Sequence, residues 1–241
     1  MLRVIEYKKN EGQGDTVVEI LYKSKNAVVI YKPAGIPSQS DPSGDPDAMT
    51  LTATELRNLG ENDALWLVHR LDRAVGGILI FARTKGYAAI LSEYVRERLL
   101  TKEYYAVVDG AASGGVLEGY IYKDTRAGKA FVVDRERSGV KHARLSYRPL
   151  ATVTTPRGEK TLVYVSLDTG RFHQIRAQLA NEHHPICGDG KYGSRDNGAR
   201  NIALMASHLA VELPREKIDV RRLPDLSLYP WSLFDETAYE L

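Results

Sequence analysis

The segment Gly77-Ile78-Leu79-Ile80-Phe81-Ala82 has no polar residue on either parity. A strand without alternation is buried on both faces, so this one belongs in the middle of a sheet. Such a strand needs neighbours on both edges and cover on both sides. Directly upstream, the charged run His69-Arg70-Leu71-Asp72-Arg73 separates it from a second apolar strand, Leu65-Trp66-Leu67-Val68. Charged side chains at the rim of a buried sheet are costly unless they are paired or used.

Strand period dominates elsewhere too. Residues 17–22, 27–31, 103–108, 116–122, 130–133, 143–153 and 162–167 read as strands, and 203–213 suits a strand or a helix, with strand favoured. Lys32-Pro33-Ala34-Gly35-Ile36-Pro37 must leave the sheet, because proline cannot donate to a ladder. Thr52-x-x-Glu55 predicts a capped helix over 51–59, stopped by Gly60. Thr84 predicts the cap of a helix over 86–100 with Leu91, Tyr94, Val95 and Leu99 on one stripe. A third helix is expected over 171–181, and Pro214, Pro224 and Pro230 punctuate a tail read as irregular. Consecutive strands with few helices between them predict an α+β fold with a mixed, mainly antiparallel central sheet.

The chain carries 33 Lys+Arg against 31 Asp+Glu, a net charge of +2, so distribution matters more than the sum. From Tyr120 to Arg148 there are eight bases and three acids, interleaved with Tyr120, Tyr122, Phe131 and Tyr147. That mix suits a phosphate backbone with bases to stack on. It equally suits a solvated β face whose rings turn inward. Cys187, the one cysteine, leaves no intramolecular disulfide and reads as a small buried residue. No apolar run has membrane-helix or signal-peptide length. Phosphate-loop, nucleophile-elbow and dinucleotide-binding glycine patterns are missing, which weighs against NTPase, hydrolase and dehydrogenase readings. Asn181-Glu182-His183-His184 does not have the spacing of a zinc helix.

Several clusters can carry chemistry. Asp72 sits between Arg70 and Arg73, whose charge is expected to hold it ionised, fit to act as nucleophile or base. In Gly170-Arg171-Phe172-His173-Gln174-Ile175-Arg176, a helix starting near Phe172 puts His173 and Arg176 on one face, within reach of a carboxylate across a cleft. Tyr104 and Tyr105 alternate, so one can face a cleft and the other the core. His184-Pro185-Ile186-Cys187-Gly188-Asp189-Gly190-Lys191-Tyr192-Gly193 is a tight glycine-rich segment.

These segments, with Lys32-Pro33-Ala34-Gly35 and Lys102-Glu103-Tyr104, occur in an order that resembles the RluA-type pseudouridine synthase family. One departure is Val75-Gly76, where the family commonly has Thr-Ser. The resemblance implies a catalytic cleft across the sheet and isomerisation of specific uridines in rRNA or tRNA by base flipping, glycosidic cleavage and reattachment through carbon. It implies Asp72 as the catalytic carboxylate, Tyr104 stacked on the target base and Arg176 paired with Asp72. Arg70 would hold the base out, and His69, Arg73, Arg171, His173, Lys141, Arg144 and Arg148 would contact RNA. Ile78, Leu79 and Ile175 are candidates for an apolar pocket wall. No cofactor and no metal are implied. The expected protein is a cytoplasmic monomer acting on structured RNA, away from membranes. Residues 1–16 form an N-terminal extension, 17–213 the catalytic domain, and 214–241 a tail packed on the same domain. Two rivals stand beside this reading: a non-catalytic RNA-binding or ribosome-assembly protein on the same fold, and a glycosidase, which needs a second acid such as Asp168 or Asp189 near Asp72.

Overall fold

In the computed structural model, which describes residues 18–239, the apolar run forms β4 (Gly76–Ala82), buried at every position. The expected extension, residues 1–16, lies outside the described residues. Leu79 and Phe81 point into one core with Val28, Ile30 and Leu56, while Ile78 and Ile80 point into another with Val29 and Leu91. Both faces are therefore covered, as an unalternating strand requires.

Around it lie β1 (Glu19–Lys23), β2 (Ala27–Lys32), α1 (Ala48–Asn58), β3 (Trp66–Leu67), α2 (Lys85–Arg96), β5 (Thr101–Asp109) and β6 (Gly115–Asp124). Next come β7 (Lys129–Val133), β8 (Val140–Thr155), β9 (Gly158–Leu167), α3 (Gln174–Asn181), β10 (Leu204–Leu213) and β11 (Glu216–Arg221). The sheet runs β1-β2-β4-β10-β5-β9-β8-β6-β7, with β3 added to β4 and β11 to β10. Among the described residues every strand pairing is antiparallel except β4 with β10. The expected α+β class is the observed one.

The single parallel contact is short, Gly76 and Gly77 against Met205 and Ala206. Gly77 has φ +123°, and a Cβ there would overlap the backbone O and N of Ala206. Only glycine allows the two halves of the sheet to join here. Across β10 from this junction, Ala206 pairs with Tyr104 of β5. Asp72 lies just upstream of β4, so the junction brings the two candidate residues to one place.

Four local details differ from expectation. Helix α1 starts earlier, because the Asp47 carboxylate accepts from Thr50 N at 3.0 Å and Thr50 Oγ1 at 2.8 Å. Thr52 is inside the helix, its hydroxyl donating to Ala48 O at 2.6 Å. Thr84 caps α2 as expected, but the helix ends at Arg96. Arg98 takes a left-handed φ of 61°, Leu99 N turns back to Tyr94 O at 2.8 Å, and the Leu99 side chain is exposed rather than on the stripe. Helix α3 starts at Gln174, because His173 is left-handed at φ 52°. In the stretch read as irregular, Glu216–Arg221 forms β11, with Ile218 buried.

Candidate active site

Asp72 lies in the loop between β3 and β4, and the loop after β2 holds it from below. Ser38 Oγ donates to Leu71 O at 2.8 Å and accepts from Leu71 N at 3.0 Å. Gly35, at φ +99°, donates from N to Arg73 O at 2.7 Å. Lys32 is fully buried, and its ammonium donates to Ile36 O at 2.8 Å, Pro33 O at 3.0 Å and Arg73 O at 3.4 Å. Burial pushes the Lys32 pKa down to about 7, opposed by attraction to Asp72. The Lys-Pro-Ala-Gly segment is thus a support for the acidic loop.

The Asp72 carboxylate has Arg176 Nη1 at 3.4 Å and His173 Nε2 at 3.6 Å. Its pKa is raised, because burial outweighs the charges of Arg176, Arg70 and Lys32. Of the two flanking arginines, Arg70 favours the ionised carboxylate, against the burial that opposes it. Arg73 turns away to Gly35 O, Ser43 and Asp45.

Arg176 is held chiefly by a residue outside the cavity. Its Nε and Nη2 donate to Asp189 at 2.6 and 2.9 Å, and Tyr192 lies under the guanidinium at 5.0 Å. Tyr192 Oη accepts from Ala130 N at 2.8 Å and lies 2.9 Å from His173 Nδ1. When the hydroxyl donates to Nδ1, the ring keeps its proton on Nε2, facing Asp72. Burial, reinforced by Arg176, pushes the His173 pKa down to about 3, so the ring is neutral at pH 7.

Tyr104 is buried on β5, and among the described residues its hydroxyl has no hydrogen-bond partner. Burial and the nearby Asp72 charge push its pKa up, so it stays a phenol. Asp72, Tyr104 and Arg176 line one open cavity of about 480 Å³, together with His69, Arg70, Arg171 and His173. Leu71, Val75, Ile175 and Leu204 supply apolar wall. Ile78 and Leu79 do not; they are inside the two cores. Val75, at the departure from the family pattern, is wall, and Gly76 makes the junction with β10.

Four expected RNA contacts lie outside this cavity: Arg73, Lys141, Arg144 and Arg148. Alternation along β8 puts Lys141 on the parity of buried Ala143 and Leu145, and Arg144 and Arg148 on the opposite face. Arg144 pairs with Asp168 and, at 3.4 Å, with Glu118, while Arg148 sits over the Tyr164 ring at 5.6 Å. The three do not make one patch.

In the sequence Lys32, Asp189 and Tyr192 belong to motifs, and nothing there marks them as supports. Asp189, the expected alternative second acid, has both its oxygens taken by Arg176. Asp168 is likewise bound by Arg144. A second free carboxylate for the glycosidase reading is therefore missing among the described residues that line the cavity. Cys187 is buried, and burial raises its thiol pKa. It lies with Asp109 and Asp196 in a group with metal-ligand spacing, but Lys160 Nζ is 2.5 and 2.8 Å from those carboxylates and already compensates their charge.

Residues 26–181 match the model of a family described as RNA pseudouridylate synthase. The chain belongs to this family. Among its relatives, ribosomal large subunit pseudouridine synthase D of Xanthomonas campestris is 34% identical over 194 residues, covering 79% of this chain and 56% of the relative. The chain thus spans little more than half the length of that relative. The tRNA pseudouridine synthase C of Haemophilus ducreyi is 31% identical over 227 residues, covering 86% of this chain and 91% of the relative. Two solved human structures share the fold of this chain. RNA pseudouridylate synthase domain containing 1 has TM-score 0.74 and 22% identity, covering 91% of this chain and 89% of that one. RNA pseudouridylate synthase domain containing 4 has TM-score 0.69 and 26% identity, covering 86% and 88%.

Proposed function

We propose that the chain isomerises specific uridines in structured rRNA or tRNA to pseudouridine, with Asp72, Tyr104 and Arg176 as its catalytic residues. The observation that carries this is the cavity itself: a carboxylate 3.4 Å from an arginine, beside a phenol whose hydroxyl has no hydrogen-bond partner among the described residues. The relatives, a ribosomal large subunit pseudouridine synthase and a tRNA pseudouridine synthase, support the substrate class.

A uridine inside a helix is out of reach and must be extruded, at a cost of a few kcal/mol. Arg70, His69, Arg171 and His173 offer polar contacts to the displaced nucleotide, and Tyr104 a ring face for the base. Asp72 acts on the sugar, either by attack at C1′ or by removing the C2′ proton, while Arg176 steadies its negative charge. The N1–C1′ bond breaks, the uracil turns within the apolar wall, C5 bonds to C1′, and the C5 proton leaves as N1 gains one. The chain's own carboxylate, guanidinium and phenol suffice for this scheme, which calls on no metal or cofactor. We also propose that the protein is a cytoplasmic monomer; its one cysteine, buried and free, suits a reducing compartment. Among the described residues, no helix is long and apolar enough to cross a membrane.

The test is tritium release from RNA labelled at uridine C5. Wild-type chain should release tritium and Asp72→Asn should not, while still binding RNA. Undiminished release by Asp72→Asn would sink the assignment, and binding without release by wild type would favour the non-catalytic rival.

A further inference from the structure

The cavity is lined by six cationic side chains, Arg70, Arg96, Arg98, Lys102, Arg171 and Arg176, and by two acidic ones, Asp72 and Asp168. The acids are committed: Asp72 faces Arg176, and Asp168 is bound by Arg144. Arg96 has its own carboxylates, Glu93 and Glu97. Arg98, two residues on, has none, and neither have Lys102 or Arg171 among the described residues.

These three come from separate elements. Arg98 is in the turn after α2, held there by its left-handed backbone. Lys102 is on β5, two residues before Tyr104. Arg171 precedes α3, and its Nε donates to His142 O at 2.7 Å, which fixes the guanidinium plane and leaves its other N–H groups unengaged. Their charges act on one another: Arg98 lowers the Arg171 pKa and Arg171 lowers that of Lys102, both in addition to burial. Two half-buried cations, Lys102 and Arg171, with the exposed Arg98 beside them and no carboxylate partner among the described residues, raise the energy of the free protein. An anion of matching size relieves it.

We propose that Arg98, Lys102 and Arg171 form a binding site for one phosphodiester of the substrate strand, fixing the backbone beside the Asp72–Tyr104 cavity. RNA as ligand rests on the reading above; the anion chemistry rests on the three cations. Two arginine forks and one ammonium supply planar and point donors to the non-bridging oxygens. A phosphate held there fixes the strand while the nucleotide next to it swings into the cavity, so the clamp positions substrate and takes no part in bond making.

The probe is an eight-residue oligouridylate, bound to the full chain across a salt series. Arg98→Gly removes the charge and suits the left-handed backbone, so its melting temperature should be no lower than wild type. It should bind about tenfold more weakly at fixed salt, as expected for loss of a charged hydrogen bond. The slope of log affinity against log salt should shrink by about 0.7–1. Lys102→Met should behave alike, and Arg96→Ala, whose charge is already paired, should leave the slope unchanged. A neutral methylphosphonate at the clamped linkage should erase the difference between wild type and Arg98→Gly. An unchanged slope in Arg98→Gly, an equal loss in Arg96→Ala, or no binding of the oligomer overturns the site. Tritium release separates this from the reaction. Release with unaltered slopes removes the clamp and keeps the isomerase, whereas altered slopes without release do the reverse.

Discussion

Arg176 is bound to Asp189 more closely than to Asp72: two charge-assisted bonds of 2.6 and 2.9 Å against one contact of 3.4 Å. The Arg176 and Asp189 side chains are 7% and 1% exposed, so the pair is dry. Asp189 therefore cancels much of the charge that Asp72 would otherwise feel, and burial is left to raise the Asp72 pKa.

Replacing Asp189 should reverse that balance. In Asp189→Asn the guanidinium presents its full charge to Asp72, whose pKa falls, so the acid limb of the rate profile moves to lower pH. The fold should weaken by about 3–5 kcal/mol, because a buried charge loses its partner. At 2–4 °C per kcal/mol for a chain of this size, the melting point drops by roughly 6–20 °C. Tritium release against pH and a thermal melt read both effects; an acid limb that stays in place would contradict the screening role of Asp189.

Asp72→Asn should cost activity and add stability. The native carboxyl has a raised pKa, so the folded state binds protons more tightly than the unfolded one. Ionisation of Asp72 therefore destabilises the fold as pH rises from the ordinary carboxylate range through the raised value. Asparagine removes that penalty at neutral pH. Turnover should fall by about 10²–10⁴-fold or more while the melting temperature rises. A melting temperature below wild type would show that Asp72 is structural rather than strained.

Lys32 should act on Asp72 in the opposite sense to Asp189. The Lys32 ammonium attracts the carboxylate from the other side, so Lys32→Met should raise the Asp72 pKa and move the acid limb to higher pH. A stability signature accompanies it. With its folded pKa lowered from 10.5 to about 7, Lys32 holds fewer protons folded than unfolded across that window. Stability should therefore rise with pH from about 7 to 10.5 in wild type. Denaturant titrations at several pH values should show that increment in wild type and not in Lys32→Met. An increment of equal size in the variant would assign it to another group.

What the sequence revealed and what it hid follow one physical division. The strands were legible because burial imposes a period on them, and β4 most of all because it lacks one. Even β11 left a trace, Ile218 and Val220 alternating with charged residues, masked by the flanking prolines. Asp72, Tyr104 and Arg176 could be named from motifs and meet in one cavity. The supports could not be assigned: Lys32 is distinguished by three carbonyls it meets only after the chain turns, and Asp189 by a guanidinium 13 residues away. The helix starts were misplaced for a related reason. Asp47 outcompetes Thr52 as cap through its position, and a left-handed His173 cannot be seen in a list of side chains.

The junction of β4 and β10 gives the sharpest test of how fold and site are linked. Gly77 sits at φ +123° directly against Ala206, leaving no room for a methyl group. Alanine there must adopt an unfavourable backbone and push β10 aside, at about 3 kcal/mol or more. The displaced strand carries Ala206, whose partner on the far edge is Tyr104, while Gly76 and Gly77 anchor the end of the Asp72 loop. A small opening of the junction thus changes the Asp72–Tyr104 separation directly. Gly77→Ala should lose turnover even at temperatures where it remains folded, with weak dependence of the loss on RNA concentration. Gly86→Ala, in α2 with open space around its Cβ position, should keep activity and stability, as alanine favours a helix. Wild-type turnover in folded Gly77→Ala would show that the cavity does not depend on this junction.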